Sequence, residues 1–412
     1  MSNYLINKYN VAGPRYTSYP TVPYWDQGNF SIEEYKNGLR KSFAESNNSE
    51  GISLYLHLPF CESLCTFCGC NKRITKRHEV ESPYISAILE EWELYLELLE
   101  EKPLIKEIHL GGGTPTFFSP ENLKLLLKGL FKNAEKAEGF DFSFEGHPNN
   151  TQKGHLEALN DAGFTRVSYG VQDYNLVVQQ AIHRFQPFIN VKKATEQARE
   201  VGYTSVGHDI IFGLPFQTVE HIRTTIEKTK ELMPDRIAFY SYAHVPWIKG
   251  SGQRGFNEED LPTADVKREM YETGKKLLAE AGYVEIGMDH FALKSDSLYK
   301  AMEEKKLHRN FMGYTHSRTK VMIGLGVSAI SDSWTGFSQN VKTLEEYYEL
   351  LEKKELPLYR GHILTAEDEK LRKHILNLMC NLETIWKDEN QYVPELSDVL
   401  IRSKEMEADW LI

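Results

Sequence analysis

The sequence predicts an α/β protein: a partial, TIM-like barrel of six β/α units, extra strands after it, and a smaller, mostly helical C-terminal domain. From residue 52 onward, short β-branched or aromatic runs alternate with amphipathic helical stretches, about one pair every 30 to 35 residues, as in a parallel sheet. Polar residues and glycines follow several of the apolar runs. Because the carboxyl ends of parallel strands share one edge of a sheet, we expect a ligand-binding edge there.

The six predicted strands are short and apolar. They fall at residues 52–58, 105–110, 140–145, 166–171, 205–212 and 236–242. Polar or glycine residues lie at or after their carboxyl ends, at positions 111–115, 145–147, 172–173, 209 and 240–244. The sequence therefore predicts that functional side chains come from several different strands and meet at one edge.

The first predicted helix lies between the first two strands and begins at Ser82 and Pro83, a capping serine followed by a proline suited to the first turn. Its buried face is marked by apolar residues at steps of three and four, namely Ile85, Ile88, Trp92, Tyr95 and Leu99. The solvent face is expected to carry Glu90, Glu91, Glu93 and Glu97. Further helices are predicted near 120–136, 151–162, 188–202, 218–232 and 262–281, several of them ended by glycines such as Gly163, Gly202 and Gly282.

Three regions are predicted along the chain. Residues 1–47 form an N-terminal segment and a candidate substrate lid, and residues 48–332 form the barrel with extension strands near 283–291 and 321–330. Residues 333–412 form the helical C-terminal domain, which the sequence leaves apparently incomplete. Its last residues, 408–412, are an apolar, strand-like fragment with no evident partner.

Composition indicates a soluble, cytoplasmic protein. The formal charge of −11 argues against general binding to nucleic acids and to anionic membrane surfaces. No secretory signal is evident, and the longest uncharged apolar stretch, 321–331, is far shorter than the ~18 residues of a membrane span. An acidic ligand would need local positive charge, for which the candidates are Arg15, Lys72, Arg73, Lys76 and Arg77; the last four are equally well explained as ordinary solvated side chains.

Three cysteines with C-x3-C-x2-C spacing, Cys61, Cys65 and Cys68, follow the first predicted strand. Three thiolates on a four-iron cluster leave one iron open to a non-protein ligand, so this loop predicts a reactive iron–sulfur site. A structural zinc site completed by Cys70, His57 or His78 is the alternative. A disulfide is less consistent with five cysteines in 412 residues, four of them clustered and Cys380 alone in a helical pattern.

The cysteine spacing, with Phe67 just before the last cysteine, resembles that of radical S-adenosylmethionine (SAM) enzymes. Longer strings resemble the oxygen-independent coproporphyrinogen III oxidases within that superfamily, and they occur in the family's order. They are Gly-Pro-Arg-Tyr-Thr-Ser-Tyr-Pro (13–20), Cys-Gly-Cys-Asn-Lys (68–72), Gly-Gly-Gly-Thr-Pro-Thr (111–116), Gly-Val-Gln-Asp (170–173), Met-Asp-His-Phe (288–291), His-Arg-Asn-Phe (308–311) and Gly-Val-Ser-Ala-Ile (326–330).

The resemblance implies a radical SAM barrel that holds one [4Fe-4S] cluster and two SAM molecules. By motif, Cys61, Cys65 and Cys68 would hold the cluster. The first SAM would lie against Tyr55, Gly112, Glu145 and Ile330, and the second against Phe67, Gly113, Thr114, Gln172, Arg184, Asp209 and Ala243. Glu145 and Asp209 can accept hydrogen bonds from amino or ribose groups, and Arg184 can pair with a carboxylate. Taken singly, Gln172 and Asp209 could equally tie strand ends together.

The same resemblance implies the reaction and the partners. A reduced cluster would cleave SAM, the resulting 5'-deoxyadenosyl radical would take a hydrogen from a propionate β-carbon, and loss of CO2 and one electron would leave a vinyl group. Done twice, this converts coproporphyrinogen III to protoporphyrinogen IX. An electron donor such as flavodoxin or ferredoxin is implied, and we expect a monomer. The alternatives are a heme-binding chaperone of the radical SAM fold and a radical SAM enzyme of anaerobic heme metabolism; Cys70 and the Gly-Pro-Arg-Tyr-Thr segment favour the oxidase.

Three departures from the family pattern are visible. Glu145 is followed by Gly146 and His147 where Val-Asp is more usual, Leu110 replaces an expected aromatic residue, and the chain ends where the family's C-terminal domain would continue. His147 is expected either to bond the cofactor or to be an ordinary packing or surface residue.

Arg15, Tyr16 and Tyr19 combine cationic and aromatic groups suited to a propionate-bearing macrocycle, and on this basis we assign them to the candidate lid. The measurement that checks this is the turnover and substrate affinity of an Arg15→Ala variant. If neither changed, the lid would be excluded.

Overall fold

The computed structural model describes residues 3–9, 18–247, 252–386 and 393–412. Within these ranges, twelve strands form one sheet. Their order across the sheet is Leu358–Ile363, Gly336–Asn340, Ile330–Asp332, Val321–Leu325, Ile52–Leu58, Leu104–Gly112, Glu135–Gly146, Phe164–Gln172, Ser205–Phe212, Arg236–Ser241, His290–Leu293 and Tyr283–Gly287. Two short pairs lie outside this sheet, Phe60–Cys61 with Arg73–Ile74 and His308–Asn310 with Gly313–Thr315.

Six consecutive strands of this sheet, from Ile52–Leu58 to Arg236–Ser241, are parallel and adjacent in chain order; we call them barrel strands one to six. All six were predicted, and the first and fifth have the predicted bounds, 52–58 and 205–212. Strand one also pairs in parallel with Val321–Leu325, and strand six pairs antiparallel with His290–Leu293. The α/β class and the six β/α units are therefore confirmed.

The helices cover the outer face of this sheet or follow it. Their bounds are Asn3–Tyr9, Ile32–Ser46, Glu81–Leu99, Pro120–Leu130, Lys153–Asp161, Leu176–Ala181, Phe188–Val201, Val219–Leu232, Ala264–Glu280, Ser297–Glu303, Leu344–Glu352, Ala366–Asn381 and Glu395–Ala408. The helix predicted near 120–136 ends at Leu130, because barrel strand three already begins at Glu135. Single 3-10 turns lie at Val22–Tyr24, His78–Val80, Pro115–Phe117 and Glu258–Asp260.

The helix Glu81–Leu99 buries the predicted apolar face. Ile85, Ile88, Trp92, Tyr95 and Leu99 are all in the main core. Its start differs from the prediction: the helix begins at Glu81, with Val80 and not Ser82 at the N-cap position. The buried Glu81 carboxylate accepts hydrogen bonds from Ser119 N (2.8 Å) and Asn122 Nδ2 (2.7 Å), so it joins two helix starts.

The prediction that Glu91 faces solvent is wrong, because Glu91 is fully buried. Its carboxylate accepts hydrogen bonds from Gly326 N (2.7 Å), Asn340 Nδ2 (2.7 Å) and Tyr347 Oη (2.6 Å). These donors lie more than two hundred residues away in sequence, so helical periodicity alone could not reveal them. Burial raises the pKa of Glu91 to about 7, against the opposing effect of these hydrogen bonds.

The N-terminal region contributes to the barrel core as well as to its surface. The helix Ile32–Ser46 begins at the capping residue Ser31 and buries Tyr35, Leu39 and Phe43 in the main core. Of the candidate lid, Arg15 and Tyr16 lie outside the described residues. The lid therefore stays a prediction.

The C-terminal region differs from the prediction in two respects. The sheet continues beyond residue 332 through Gly336–Asn340 and Leu358–Ile363 before the helices follow. The strand-like reading of residues 408–412 is wrong, because this end closes the helix Glu395–Ala408 with bonds from Trp410 N to Glu407 O (3.0 Å) and Leu411 N to Met406 O (3.0 Å). The Tyr9 hydroxyl donates to Asp409 (2.7 Å), which gives this end a partner.

Within the described ranges, none of the helices combines the length and the hydropathy that a membrane span requires.

A Glu91→Ala variant tests the importance of the buried carboxylate. We expect a loss of about 3 kcal/mol or more in the free energy of unfolding, because three buried donors lose their acceptor. Urea unfolding followed by circular dichroism measures it. Glu97→Ala, at an exposed position of the same helix, is the matched control and should change stability by less than about 0.5 kcal/mol. Equal losses in the two variants would contradict the assignment.

Candidate active site at the carboxyl edge of the barrel

The cysteine loop follows barrel strand one and is held by hydrogen bonds on several sides. Thr66 N donates to Ile182 O (2.9 Å), and the Thr66 hydroxyl donates to Ala181 O (2.9 Å). On another side, the Gln253 amide donates to Phe67 O (3.1 Å). The loop is therefore fixed to segments that follow barrel strands four and six.

Two of the three cysteine sulfurs accept hydrogen bonds from predicted site residues. The Thr114 hydroxyl donates to Cys61 Sγ (3.4 Å), and Arg184 Nη1 donates to Cys65 Sγ (3.5 Å). Burial raises the pKa of Cys61 to about 11, and the Thr114 bond opposes this. The pKa of Cys68 is lowered to about 6, first by a hydrogen bond from Cys70.

A glycine turn at the end of barrel strand two lies directly against this loop. Gly113 N donates to Leu58 O (2.8 Å), and a Cβ atom at Gly113 would lie 2.6 Å from the Pro59 carbonyl. Gly112 has a φ of +109°, and a Cβ atom there would lie 2.8 Å from the His57 ring. Only glycine allows this approach of the two strand ends.

Tyr55, His109 and Glu145 lie side by side on three neighbouring strands. Tyr55 and His109 stack with ring centroids 6.2 Å apart, and His109 Nε2 lies 3.5 Å from the Glu145 carboxylate. Burial raises the pKa of Glu145, but hydrogen bonds from His109 and from the backbone of Gly112, together with the charges of His109 and His57, outweigh it and hold that pKa below its usual value. Glu145 is thus an ionised acceptor at neutral pH.

Asp209 lies two strands further on, on barrel strand five, and behaves differently from Glu145. The Ser168 hydroxyl donates to Asp209 Oδ1 (2.9 Å). Burial, followed by the negative charge of Glu145, raises the pKa of Asp209 to about 7. The two carboxyl groups therefore differ in protonation near neutral pH.

Arg184 and Gln172 meet at the end of barrel strand four. Arg184 Nη2 donates to Gly170 O (2.6 Å), so one guanidinium joins this strand end to Cys65. Gln172 has a φ of +66°, and its Oε1 atom is buried without a hydrogen-bond partner among the described residues. A buried acceptor of this kind is costly unless a ligand supplies a donor.

Nine of the fourteen predicted site residues line one of two cavities, and Tyr55, Gly112, Gln172, Ala243 and Ile330 line neither. Cys61, Cys65, Cys68, Phe67, Gly113, Thr114 and Arg184 line a cavity of about 770 Å3. Glu145 and Asp209 line a smaller space of about 130 Å3 inside the barrel. Ala243 O accepts a hydrogen bond from the side-chain amide of Gln253 (2.8 Å). Ile330 lies close to Gly324, since its backbone would contact a Cβ atom there, and Gly324 is paired with Tyr55 in the sheet.

Three polar residues of this region, His109, Ser143 and Ser168, were missed from the sequence, and His57 was considered only as a ligand of the alternative zinc site. His57 Nε2 donates to Asn71 O (2.9 Å), and its Nδ1 lies 3.1 Å from the Tyr55 hydroxyl. His109 contacts the Ser143 hydroxyl at 2.8 Å, and Ser168 holds Asp209. His57 lies two residues after Tyr55, and Ser143 lies two residues before Glu145, so each pair shares one face of its strand. Alternation along the strands was therefore the signal that could have found such residues.

The departure at residues 146 and 147 has a local explanation. A Cβ atom at Gly146 would lie 2.7 Å from the Tyr169 ring, so the buried tyrosine requires glycine there. His147 lines the 770 Å3 cavity and accepts a hydrogen bond from Asn149 N at Nδ1 (3.2 Å). Burial and then the charge of Arg184 hold the pKa of His147 well below its usual value, so the ring is neutral.

Comparison with known proteins agrees with this geometry. Residues 55–229 match the Radical SAM superfamily. The chain is 40% identical over 382 residues to the oxygen-independent coproporphyrinogen III oxidase of Helicobacter pylori strain 26695, covering 92% of this chain and 82% of that protein. The chain belongs to the oxygen-independent coproporphyrinogen III oxidase family. The Pseudomonas aeruginosa member is 38% identical, with 93% of this chain and 83% of that protein covered.

A solved structure supports the same membership. The coproporphyrinogen III oxidase HemN of Escherichia coli, described as a radical SAM enzyme, superposes with a TM-score of 0.84 at 35% identity, covering 92% of this chain and 84% of that chain. The radical SAM fold predicted from the cysteine motif is thus confirmed, as is an oxidoreductase of the radical SAM type.

The family's cofactors, a [4Fe-4S] cluster and SAM, fit the residues of this site. Three cysteines open onto one cavity, and each iron of a cluster takes a separate thiolate, so the sulfurs need not converge on one atom. Among the described residues, no three His, Cys, Asp or Glu side chains are arranged to hold a single metal ion. The buried acceptor of Gln172 and the carboxylate of Glu145 suit the donor groups of SAM.

The protonation of Asp209 gives a direct test of the site's electrostatics. A Glu145→Gln variant removes the neighbouring negative charge, so the pKa of Asp209 should fall from its value of about 7. Carbon-13 NMR titration of protein labelled at the aspartate carboxyl carbons measures it, with Asp209→Asn to assign the signal. Glu135→Gln, at an exposed position of the same strand, should leave the pKa unchanged. An unaltered pKa in the Glu145 variant would contradict the coupling.

Proposed function

We propose that this protein catalyses the oxygen-independent decarboxylation of two propionate side chains of coproporphyrinogen III, giving the vinyl groups of protoporphyrinogen IX. The observation that carries the proposal is the cysteine motif on one cavity wall, with hydrogen bonds to Cys61 and Cys65, in a chain 40% identical to a named oxidase over 92% of its length. The named relatives and the superposed structure support this substrate for this chain.

In this proposal Cys61, Cys65 and Cys68 hold the cluster, and one iron stays open for SAM. When bound, the cluster and SAM together supply a one-electron route to hydrogen abstraction from an unactivated carbon. Thr114 and Arg184 stabilise negative charge on two of the sulfurs through their hydrogen bonds. Each propionate loses one hydrogen atom, CO2 and one further electron.

Two SAM molecules are part of the proposal. Tyr55, Gly112, Glu145 and Ile330 would bind the first, with the ionised Glu145 accepting from its amino group. The second would use Phe67, Gly113, Thr114, Gln172, Arg184, Asp209 and Ala243, of which Phe67, Gly113, Thr114 and Arg184 line the same 770 Å3 cavity. Its volume lies in the range of about 300–1,000 Å3 usual for small-molecule sites.

The site also offers groups for the substrate. Coproporphyrinogen III carries four propionates on an apolar macrocycle, so cations and aromatic rings are needed together. Lys72 and Arg184 lie in the cavity wall beside Phe117 and Phe185. In this proposal the lid residues Arg15, Tyr16 and Tyr19 would add one cation and two aromatic rings to them.

Further partners and location complete the proposal. A one-electron donor protein such as flavodoxin or ferredoxin would reduce the cluster, the chain would act as a monomer, and the location would be cytoplasmic. The charge of −11 is consistent with a protein that does not bind nucleic acids.

Anaerobic reconstitution tests the activity. With iron, sulfide, reductant, SAM and coproporphyrinogen III, we expect 5'-deoxyadenosine and a vinyl-bearing product, both measured by liquid chromatography and mass spectrometry. Cys65→Ala should abolish both products, since a cluster ligand is lost. Cys380→Ser is the matched control, because Cys380 lies in a separate core cluster, and it should retain activity. SAM cleavage without decarboxylation would reject the oxidase and leave the heme-related alternatives.

The buried amide of Gln172 allows the second SAM site to be tested separately. Gln172→Asn keeps an amide and tolerates the φ of +66°, but its oxygen is withdrawn by one methylene. Equilibrium dialysis of the reconstituted protein should show two SAM molecules bound per wild-type chain. In the variant, the dissociation constant of one of the two SAM sites should be about tenfold higher or more. Two unchanged sites, or a single site in the wild type, would contradict this part of the proposal.

A further inference from the structure

A short exposed strand lies directly against the cysteine loop. Arg73–Ile74 pairs in parallel with Phe60–Cys61. Arg73 N donates to Pro59 O (2.8 Å) and Thr75 N donates to Cys61 O (2.9 Å). This strand therefore contacts the backbone of a proposed cluster ligand and presents its own side chains to solvent.

The side chains on and after this strand are cationic. Arg73, Lys76 and Arg77 are exposed, and their side chains make no hydrogen bond or ion pair with any residue that the structure describes. None of the three lines the 770 Å3 cavity, whereas Lys72 does and donates to Cys68 O (3.1 Å). In a chain with a formal charge of −11, three such cations beside the cluster loop form a local positive patch.

A groove with a mostly apolar lining adjoins this patch, and it also contains the carboxylates of Glu79 and Glu345. It has a volume of about 700 Å3 and is lined by Phe60, Arg77, Glu79, Val80, Pro83, Leu344, Glu345 and Tyr348. Ile74, between Arg73 and Lys76 in sequence, is 41% exposed. Apolar contact area bordered by charge is the composition of a small, transient protein interface.

We propose that Arg73, Ile74, Lys76 and Arg77, with the adjoining groove, form the docking surface for a small acidic protein that carries one electron to the cluster. The inference rests on the proposed function, which requires a reduced cluster. One electron leaves the reduced carrier and enters the oxidised cluster; no bond is formed or broken and no proton moves.

The three cations outnumber the two carboxylates of the adjoining groove, and this excess, with the position of the patch, supports an acidic occupant. Interfaces of electron-transfer proteins are small, often below about 1,200 Å2, and depend on opposite charges for rapid encounter. The strand is hydrogen-bonded to Cys61 itself, so a carrier bound here is separated from the cluster by little more than the Cys61 segment. Substrate propionates are a poorer match, because the three cations lie outside the cavity wall.

Binding of oxidised bacterial flavodoxin, an acidic probe, to the reconstituted holoenzyme tests the surface without turnover. The variant carries Arg73→Glu, Lys76→Glu and Arg77→Glu. We expect its dissociation constant, measured by isothermal titration calorimetry at low ionic strength, to be about tenfold or more above the wild-type value. Added salt should weaken wild-type binding and reduce the difference.

A second basic cluster provides the matched control. Lys306, Arg318 and Lys373 line a separate cavity, and Arg318 precedes the strand Val321–Leu325, so this cluster lies at the amino-terminal edge of the sheet, opposite the cysteines. Lys306→Glu with Arg318→Glu and Lys373→Glu makes the same change in charge. It should leave flavodoxin binding within about twofold of wild type. An equal loss in both variants would show general electrostatic attraction and overturn the proposal.

The rate of cluster reduction separates docking from support of the cluster. Stopped-flow absorbance should show about tenfold slower reduction by reduced flavodoxin in the Arg73/Lys76/Arg77 variant, and an unchanged rate with photoreduced deazariboflavin, a small uncharged reductant. Slowing with both reductants, or with neither, would overturn the proposal. A triple glutamine variant, which removes charge without reversing it, repeats the test if the glutamate variant does not fold. Neither readout uses coproporphyrinogen III, so failed decarboxylation with normal docking would reject the function alone.

Discussion

The backbone contact between the ends of barrel strands one and two determines where the rest of the site lies. Gly113 N bonds to Leu58 O, and Thr114 N bonds to Phe60 O, so the cysteine loop and the glycine turn share a hydrogen-bonded boundary. A side chain at Gly113 would meet the Pro59 carbonyl, so any other residue would separate the two ends. The Thr114 hydroxyl donates to Cys61 Sγ across this boundary.

Charge in the barrel interior is arranged by neighbouring groups as well as by burial. Glu145 and Asp209 lie near the same small space, yet the pKa of one is lowered and that of the other is raised. Burial raises both pKa values. At Glu145 the bond from His109 and further donors outweigh it, whereas at Asp209 burial and the charge of Glu145 outweigh the bond from Ser168. One acceptor and one carboxyl group able to donate are thereby presented together, which is the mixture that amino and hydroxyl groups of a ligand require.

The sequence was sufficient to predict those elements whose bounds follow from the local pattern of apolar and polar residues. Barrel strands one and five were predicted to the residue, because their apolar runs end sharply at polar or turn positions. It was insufficient where a residue's environment comes from distant segments. The helix that carries Glu91 was otherwise predicted well, but the three groups that donate hydrogen bonds to the Glu91 carboxylate belong to residues 326–347. The burial of Gln172 Oε1 without a hydrogen-bond partner among the described residues likewise results from packing between distant segments.

The bonds that hold the cysteine loop bear on how the protein acquires iron. Those from Thr66 to Ile182, from Gln253 to Phe67 and from Thr75 to Cys61 all use backbone groups of the loop and involve none of the three cysteine sulfurs. These bonds restrain the shape of the loop through the polypeptide itself, whereas in small metal-dependent domains ligation drives the folding. An iron–sulfur cluster transferred to these three cysteines would therefore meet a loop whose backbone is already hydrogen-bonded on several sides.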